Sequence, residues 1–285
     1  MIPRAIADLA QLKDEDLYGE LATGMRLSVA NALRLWHDAV LLSRNRRPQA
    51  FQIIRFLVEE EAAKLLILLD AARCPRNPPE RFARHLKAFS DHLARGLYTE
   101  YYEWVIMPLR EAREHIDRER QALYLDGPSD VDWIFRNDIE RRREEALYVD
   151  YVAIRDAFHD EHQWHAPNHD LLLGYLPAWM PSILRIARAL DRAGVTRPEA
   201  VHIVAELWRG IDPEQLNRHE LREHNIATLH RLDAAGLLRR APQAVYDAVA
   251  NDWRAPLYTL DLRKLEVRAG DLREAQEHWV PPDVY

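Results

Sequence analysis

Three consecutive carboxylates and a lysine interrupt the most apolar helix-like stretch of the chain, RFLVEEEAAKLLILL at residues 55–69. At 100° per residue, Glu61 falls on the apolar stripe of this helix, so its carboxylate is expected to point inward. Glu59 is expected in solvent, and Glu60 lies one turn before Lys64, the order that favours an ion pair. A buried carboxylate without a partner costs several kcal/mol, so Glu61 requires a cation, hydrogen bonds or a wet cleft.

Polar side chains on the preceding segment can meet this cluster. Asn31 and Asp38 are seven residues apart in NALRLWHDAVLL, so they share one helical face beside the main apolar face. Polar groups on two neighbouring core helices can form one network. Such a network can position reacting groups or only fix the register of the helices, and both interpretations stay open here.

The next segment, RHLKAFSDH at residues 84–92, combines histidines with cations. His85 and His92 share a predicted helical face, and Arg84 and Lys87 flank it. A neutral histidine can act as a general acid or base near pH 7, and a neighbouring cation can stabilise negative charge developing on a phosphoryl group. The alternative is a pair of ordinary half-buried histidines on an amphipathic helix.

Helical periodicity dominates the chain and predicts a mainly all-α fold. We expect an N-terminal four-helix bundle over residues 1–125, with helices at about 18–46, 49–72, 80–95 and 98–125, the last one bent at Pro108. Residues 126–176 are predicted to be an irregular connector with a possible short strand or β-hairpin near 145–155. Residues 177–285 are predicted to form a C-terminal helical region.

The composition limits the classes of protein to which the chain can belong. The 285 residues are 48% apolar, which is enough for a packed core, and the single cysteine, Cys74, excludes an intramolecular disulfide and a multi-cysteine metal site. The longest apolar run is far shorter than a membrane span, and no signal-peptide pattern opens the chain. We therefore expect a soluble, cytoplasmic protein with no membrane partner. The net charge of −7 means that any RNA contact needs a local basic pocket.

A histidine-rich segment, HDEHQWHAPNHD, places four histidines within eleven residues: His159, His162, His165 and His169. Imidazole and carboxylate ligands together can bind zinc or nickel. The HExxH spacing of a metalloprotease is absent, and the segment does not resemble a rigid scaffold. We favour a solvated loop or a partner-binding surface over a metal site, and we expect no cofactor.

Several of these pieces, in order, resemble the AbiV (abortive infection protein V) family, whose N-terminal part belongs to the HEPN superfamily of helical bundles. The pieces are NALRLWHDAVLL at 31–42, EEAAK at 60–64, FSDH at 89–92 and LYVDY at 147–151, followed by WHAP. The resemblance covers residues 18–170. It implies an antiphage protein with a bundle fold that commonly dimerises, and many HEPN relatives are metal-independent ribonucleases that use an Arg-x(4–6)-His pair.

His92 is the histidine that best matches the HEPN motif. It has Lys87 five residues before it and Arg84 eight residues before it, so no arginine occupies the expected offset. The Arg-x(4–6)-His spacing does occur elsewhere in the chain, about as often as chance predicts. Of these pairs only Arg110/His115 lies in the predicted bundle, and it is the second candidate for the site.

The resemblance implies an abortive-infection toxin that cleaves RNA by transesterification. In this hypothesis His92 takes or relays the 2′-hydroxyl proton, and Lys87 and Arg84 hold the phosphate. Lysine can direct charge at a phosphate, although it lacks the bidentate fork of arginine. Five further side chains position these groups: Asn31, Asp38, Glu60, Glu61 and Lys64. The expected partners are RNA, a second copy of the chain and an activating phage or host protein.

Two other interpretations remain open. The chain can be a non-catalytic module that binds a phage or host protein and inhibits translation, or a nucleotide-binding helical domain without antiviral function. The lysine at the motif's arginine position favours the interaction module, whereas polar residues on three helices favour the enzyme. Incubation with RNA in EDTA separates these two, because cleavage that survives EDTA requires a metal-independent active site.

Overall fold

The computed structural model describes residues 5–121, 123–126, 134–155, 160–167 and 179–265, together with Arg268, Gly270 and Glu274. The prediction of a mainly helical fold is confirmed. The helices are α1 Asp14–Arg44, α2 Pro48–Arg73, α3 Pro79–Lys87, α4 His92–Glu103, α5 Leu109–Gln121, α6 Asp138–Leu147, α7 Ser182–Ala193, α8 Pro198–Trp208, α9 Arg218–Ala234 and α10 Gln243–Asp252. Short 3-10 turns lie at Ala5–Gln11, Ala88–Ser90 and Leu257–Thr259.

The long helices α1 and α2 form the centre of the fold. Apolar residues at three- and four-residue steps along α1, from Leu17 to Trp36, are buried against α2, as the periodicity predicts. Gly24 permits a close approach, because a Cβ atom there would lie 2.7 Å from Cδ1 of Leu68 on α2. Arg47 and Pro48 separate the two helices, and Pro48 opens α2 at a position where proline is tolerated.

The prediction for the third and fourth helices is wrong in its boundaries. The predicted helix at 80–95 ends at Lys87, and α4 begins at His92, because the carboxylate of Asp91 accepts a hydrogen bond of 2.9 Å from the backbone N–H of Ala94 and caps a new helix. The predicted helix at 98–125 is divided between α4 and α5. Pro108 lies in the break, where it disfavours helical geometry at the preceding residue.

The C-terminal helices pack on the bundle. Helices α7 and α8 contact both α1 and α2, and the segment after α10 returns to the end of α2. There the carboxylate of Asp70 pairs with Arg73 and accepts hydrogen bonds from the Tyr98 hydroxyl (2.6 Å) and the Leu257 backbone N–H (2.8 Å). Arg73 also donates to the carbonyl of Arg254 at 2.9 Å. The division at residues 125 and 176 stays a prediction, but this network joins its first and last parts.

Two short antiparallel hairpins flank α6. The first pairs β1 Leu123–Asp126 with β2 Ile134–Asn137, and the second pairs β3 Asp150–Arg155 with β4 Asp160–His165. The strand expected near 145–155 corresponds in position to β3. Helix α6 lies between the two hairpins and packs on α2 and α4. None of the described helices has the length and apolar composition that crossing a membrane requires.

Candidate functional site

The carboxylate of Glu60 on α2 is the centre of a four-residue cluster drawn from three helices. Its Oε1 atom lies 2.9 Å from Nδ1 of His92 on α4, and its Oε2 atom lies 3.2 Å from Nη1 of Arg95 on α4. Arg143 on α6 places its Nε atom 3.6 Å from Oε1. An imidazole, two guanidinium groups and one carboxylate therefore meet at one point, which we call the Glu60 cluster.

The orientation of His92 follows from its place at the start of α4, directly after the Asp91 cap. Its Nδ1 atom faces both the Glu60 carboxylate and the Arg95 guanidinium, whose Nη2 atom is 3.0 Å away. A carboxylate only accepts, so a proton on Nδ1 is donated to Glu60. In this tautomer Nδ1 cannot accept from Arg95, whose guanidinium pairs with the other carboxylate oxygen of Glu60 instead. The Nε2 atom is then the basic nitrogen. No described residue hydrogen-bonds to it, and the His92 side chain is 45% exposed.

A cleft of about 290 Å³ opens beside this histidine, between α2, α4 and α6. Two cations at its rim are held by carboxylates: Arg142 donates to Glu100 at 2.8 Å, and Lys264 donates to Glu140 at 2.8 Å. We call this space the His92 cleft. The imidazole of His92 shares this partly enclosed space with three cations and four carboxylates. A basic nitrogen beside cations is one arrangement that serves acid–base chemistry on an anionic substrate.

Burial raises the pKa of two carboxylates in the cleft, Glu59 and Glu100. Desolvation raises the pKa of Glu59, while its hydrogen bond of 2.8 Å from Arg55 opposes the rise. Desolvation also raises the pKa of Glu100, against the opposing charge of Arg142. Both groups therefore hold a proton more readily than an exposed glutamate, which reduces the repulsion that an anionic ligand meets.

The predicted burial and pairing of the three consecutive glutamates are wrong. Glu59 and Glu60 are buried, whereas Glu61 is only half-buried and is the partner of Lys64. Helical periodicity predicts one interior face of α2, the apolar stripe. Helices α4 and α6 cover a second face of α2, and that second face carries Glu59 and Glu60.

Arg84 and Lys87 do not join His92 in the cleft. With the buried His85, they line a separate pocket beside the first turn of α4. The cause is the end of α3 at Lys87, because the chain turns before His92 begins the next helix. His85 forms a 2.9 Å hydrogen bond between Nε2 and the carbonyl of Ile67, and burial lowers its pKa, so it is neutral at pH 7.

The remaining candidates lie outside the Glu60 cluster. Asn31 on α1 accepts a hydrogen bond of 3.3 Å from its neighbour Arg34, and Asp38 is exposed on the outer side of the same helix. No hydrogen bond or ion pair in the described structure joins either side chain to a member of the Glu60 cluster. In the second candidate pair, Arg110 is exposed and no hydrogen bond joins it to His115.

Sequence reasoning missed the two arginines of the cluster. Arg95 follows His92 by three residues, so it lies on the same helical face, and this spacing was a usable signal once α4 was known to begin at His92. Arg143 lies in the charged segment RRREE, which the sequence places in a connector. Nothing in that segment indicates that it docks on Glu60.

The histidine-rich segment contributes nothing to the described site. His159 and His169 lie outside the described residues, and the side chains of His162 and His165 in β4 are likewise outside the described part of the structure. Among the residues that the structure does describe, no group of three histidine, cysteine, aspartate or glutamate side chains could hold a metal ion.

Comparison with known proteins gives one match. A family model of AbiV, within the HEPN proteins, matches residues 20–170, which is more than half of the chain. The matched region contains all four members of the Glu60 cluster. No curated protein and no solved structure gives a significant match.

Proposed function

The chain belongs to the AbiV family of HEPN abortive-infection proteins, and from this premise we propose that it is a metal-independent ribonuclease toxin whose active site is the His92 cleft. The observation that carries the proposal is the Glu60 cluster. A histidine held by a carboxylate, with its second nitrogen open to a cleft and two arginines beside it, has the parts of a general base and an anion-stabilising site.

The proposed reaction is transesterification within an RNA strand. The 2′-oxygen attacks the adjacent phosphorus, and His92 takes the 2′-hydroxyl proton on Nε2. The bond from phosphorus to the 5′-oxygen of the next nucleotide breaks, and that oxygen takes a proton from water. The products are a 2′,3′-cyclic phosphate and a free 5′-hydroxyl. DNA lacks the attacking hydroxyl, so the expected substrate is RNA.

The other members of the cluster have distinct roles in this reaction. Glu60 orients the imidazole and stabilises its charged form, as the carboxylate of a catalytic triad does. Arg143 has a side chain that is 33% exposed and can reach a phosphate oxygen from the cleft wall. Arg95 is 8% exposed and bound to Glu60, so it is a positioning residue.

Incubation of the purified chain with total RNA and tRNA in EDTA tests the proposal. We expect cleavage to survive EDTA and to disappear in His92→Ala. The matched control is His202→Ala, because His202 also pairs with a carboxylate (Glu206, 3.1 Å) and is 47% exposed, but it lies on α8. Equal cleavage by the His92 and His202 variants would remove the His92 cleft from the reaction.

A non-catalytic interaction module is the second candidate. The observation in its favour is that Arg95 and Arg143 are both already paired with Glu60, as they would be in a cluster that only fixes α6 to the bundle. This function predicts that His92→Ala still arrests growth and that pull-down recovers a stable phage or host protein.

Assembly and location also belong to the proposal. The outer face of α1 exposes Leu27 and Leu41, 67% and 43% accessible, and Asn31 and Asp38 lie between them on that face. Two exposed leucines on one helical face, with polar side chains between them, suit a symmetric contact between two copies in the cytoplasm. Light scattering of the wild type and of Leu27→Lys tests it, with a shift from dimer to monomer expected.

A further inference from the structure

A second pocket, of about 200 Å³, lies between the end of α3, the first turn of α4 and the C-terminal segment. Its aliphatic lining comes from Ala88, Ala94, Leu260 and Leu262, and Tyr258 completes one wall. We call it the Lys87 pocket. None of its lining residues takes part in the proton transfer described above, although Arg84 and Lys87 were expected to hold the phosphate there.

The charges that line the Lys87 pocket are predominantly positive, in a chain whose net charge is −7. Arg84 and Lys87 are exposed, and no described residue forms an ion pair with either side chain. Arg263 adds a third cation and is itself bound to Asp261 at 2.8 Å. The single lining carboxylate, Asp91, already accepts the backbone N–H of Ala94. An anion at the rim therefore meets two uncommitted cations.

The wall and floor of the Lys87 pocket offer an apolar surface to part of a ligand. The ring of Tyr258 and the side chains of Leu260 and Leu262 are almost fully buried, so they form a fixed surface. His85 is neutral and its Nε2 is occupied by the carbonyl of Ile67, so it adds no charge to this surface. A nucleobase on the aliphatic surface with its phosphate at Arg84 and Lys87 satisfies both parts of the pocket.

The pocket is adjacent to the His92 cleft along the chain. Asp91 and Ala94 line the Lys87 pocket, whereas His92 and Gly96 line the cleft. The first turn of α4 therefore separates two spaces, one with the Nε2 atom of His92 and one with the Arg84 and Lys87 side chains. An RNA strand that passes the N-terminal end of α4 would contact both the Lys87 pocket and the His92 cleft.

We propose that the Lys87 pocket binds one nucleoside monophosphate unit, the nucleotide next to the phosphate that is cleaved at His92. The inference rests on the proposed function in placing that nucleotide in an RNA strand. A free nucleotide has the same chemistry, and the experiment below separates the two sources.

The test uses the full chain carrying His92→Ala, so that RNA stays intact. Calorimetry measures binding of UMP, AMP, uridine and inorganic phosphate, and fluorescence anisotropy measures binding of a short labelled RNA. We expect a mononucleotide to bind more tightly than uridine or phosphate, because each of these lacks one half of the ligand. Adding Lys87→Glu should weaken both mononucleotide and RNA binding about tenfold or more, since a charge-assisted contact becomes a repulsion.

Two further variants keep the result interpretable. Lys13→Glu makes the same charge change at an exposed lysine at the start of α1, and we expect it to leave mononucleotide affinity unchanged. Arg84→Ala removes the second cation from an exposed position without placing a new group in the pocket. It should weaken mononucleotide binding in the same direction as Lys87→Glu.

The outcomes separate this inference from the proposed function. RNA cleavage by the wild type, with no mononucleotide binding and equal RNA affinity in Lys87→Glu and Lys13→Glu, overturns the pocket and leaves the ribonuclease standing. Mononucleotide binding that depends on Lys87, without any RNA binding or cleavage, assigns the pocket to a free nucleotide and overturns its place beside a scissile phosphate.

Discussion

Gly96 on α4 lies directly against the Cγ2 methyl of Ile139 on α6, and no space remains there for a Cβ atom. The contact lets α6 approach α4 closely enough for Arg143 to reach within 3.6 Å of Glu60. The geometry of the Glu60 cluster therefore depends on a residue that has no side chain of its own.

Replacing Gly96 by valine tests this dependence. We expect Gly96→Val to lower the free energy of unfolding by about 1–3 kcal/mol, because the added methyl groups must displace Ile139. It should also reduce RNA cleavage by moving Arg143. Gly19→Ala is the control, since no atom lies within 4 Å of a Cβ built at Gly19 in α1, and alanine should there stabilise the helix by about 0.5–1 kcal/mol. Urea unfolding measures the free energy of unfolding of the two variants. An unchanged value in Gly96→Val would contradict the close contact between Gly96 and Ile139.

The two neighbouring glutamates, Glu60 and Glu61, provide a matched pair of substitutions. Glu60→Gln removes the charge that orients His92, and we expect it to reduce the cleavage rate about 100-fold with little change in substrate affinity. Glu61→Gln removes the partner of Lys64, and no hydrogen bond or ion pair in the described structure joins Glu61 to the Glu60 cluster, so this variant should leave the rate within about twofold.

Single-turnover kinetics on one labelled RNA measures the difference between these two variants. A larger loss of cleavage rate in Glu61→Gln than in Glu60→Gln would support the inward orientation of Glu61 that helical periodicity alone predicts.

The reason sequence reasoning chose the wrong glutamate is physical. Periodicity identifies the most apolar face of a helix, and on α2 that face packs on α1. It gives no information on a second, mixed face, and α4 and α6 bury the face that carries Glu59 and Glu60. The sequence named His92 and Glu60 as members of one candidate site, although it expected Glu60 to pair with Lys64, and the structure brings these two side chains into contact.

The fold was predictable where local signals are strong. The bounds of α1 and α2 follow from apolar spacing and from the break before Pro48. The bounds of α3 and α4 did not, because the capping role of Asp91 competes with a continuous amphipathic pattern through residues 80–95. The position of Arg143 depends on how α6 docks, and that long-range contact leaves no periodic trace in the sequence.

Substitution of Asp70 should lower the free energy of unfolding more than substitution of most other polar residues in the chain. Its carboxylate pairs with Arg73 in the core, where the two side chains are 2% and 0% exposed. Asp70→Asn leaves the Arg73 charge without a buried counter-charge, so we expect a loss of about 3–5 kcal/mol in the free energy of unfolding.

The control for Asp70 is Glu223→Gln, which breaks a surface pair with Arg222 and should change the free energy of unfolding by less than about 0.5 kcal/mol. Urea unfolding of the two variants at one pH compares them directly. A similar small loss in both would mean that water reaches Arg73.

His85 should make stability depend on pH in the mildly acidic range. Burial lowers its pKa below the usual 6.5, so the unfolded chain binds a proton at His85 before the folded chain does. Stability contributed by the neutral ring is therefore complete above pH 6.5 and falls as the pH drops below that value toward the folded pKa.

His85→Gln removes this titration and keeps a donor for the Ile67 carbonyl. We expect the fall in Tm between about pH 7.5 and about pH 5.5 to be smaller in His85→Gln than in the wild type. The burial of His224 also lowers its pKa, so some acid dependence should remain in the variant. An identical fall in the two proteins would show that His85 is charged in the folded state or exposed.

The boundary at residue 176 separates a bundle from a C-terminal region in the sequence, and a fragment tests whether the bundle folds alone. Residues 1–176 lack α7 and α8, which cover α1 and α2. They also lack Trp208 and Trp253, whose rings lie 4.7 Å and 4.9 Å from the Arg73 guanidinium. The fragment would expose the buried Asp70–Arg73 pair and much of the apolar surface of α2, so we expect no cooperative thermal transition by circular dichroism. The full chain should show one. A cooperative transition in the fragment would establish the bundle as an independent domain and leave the C-terminal helices free to act as a separate module.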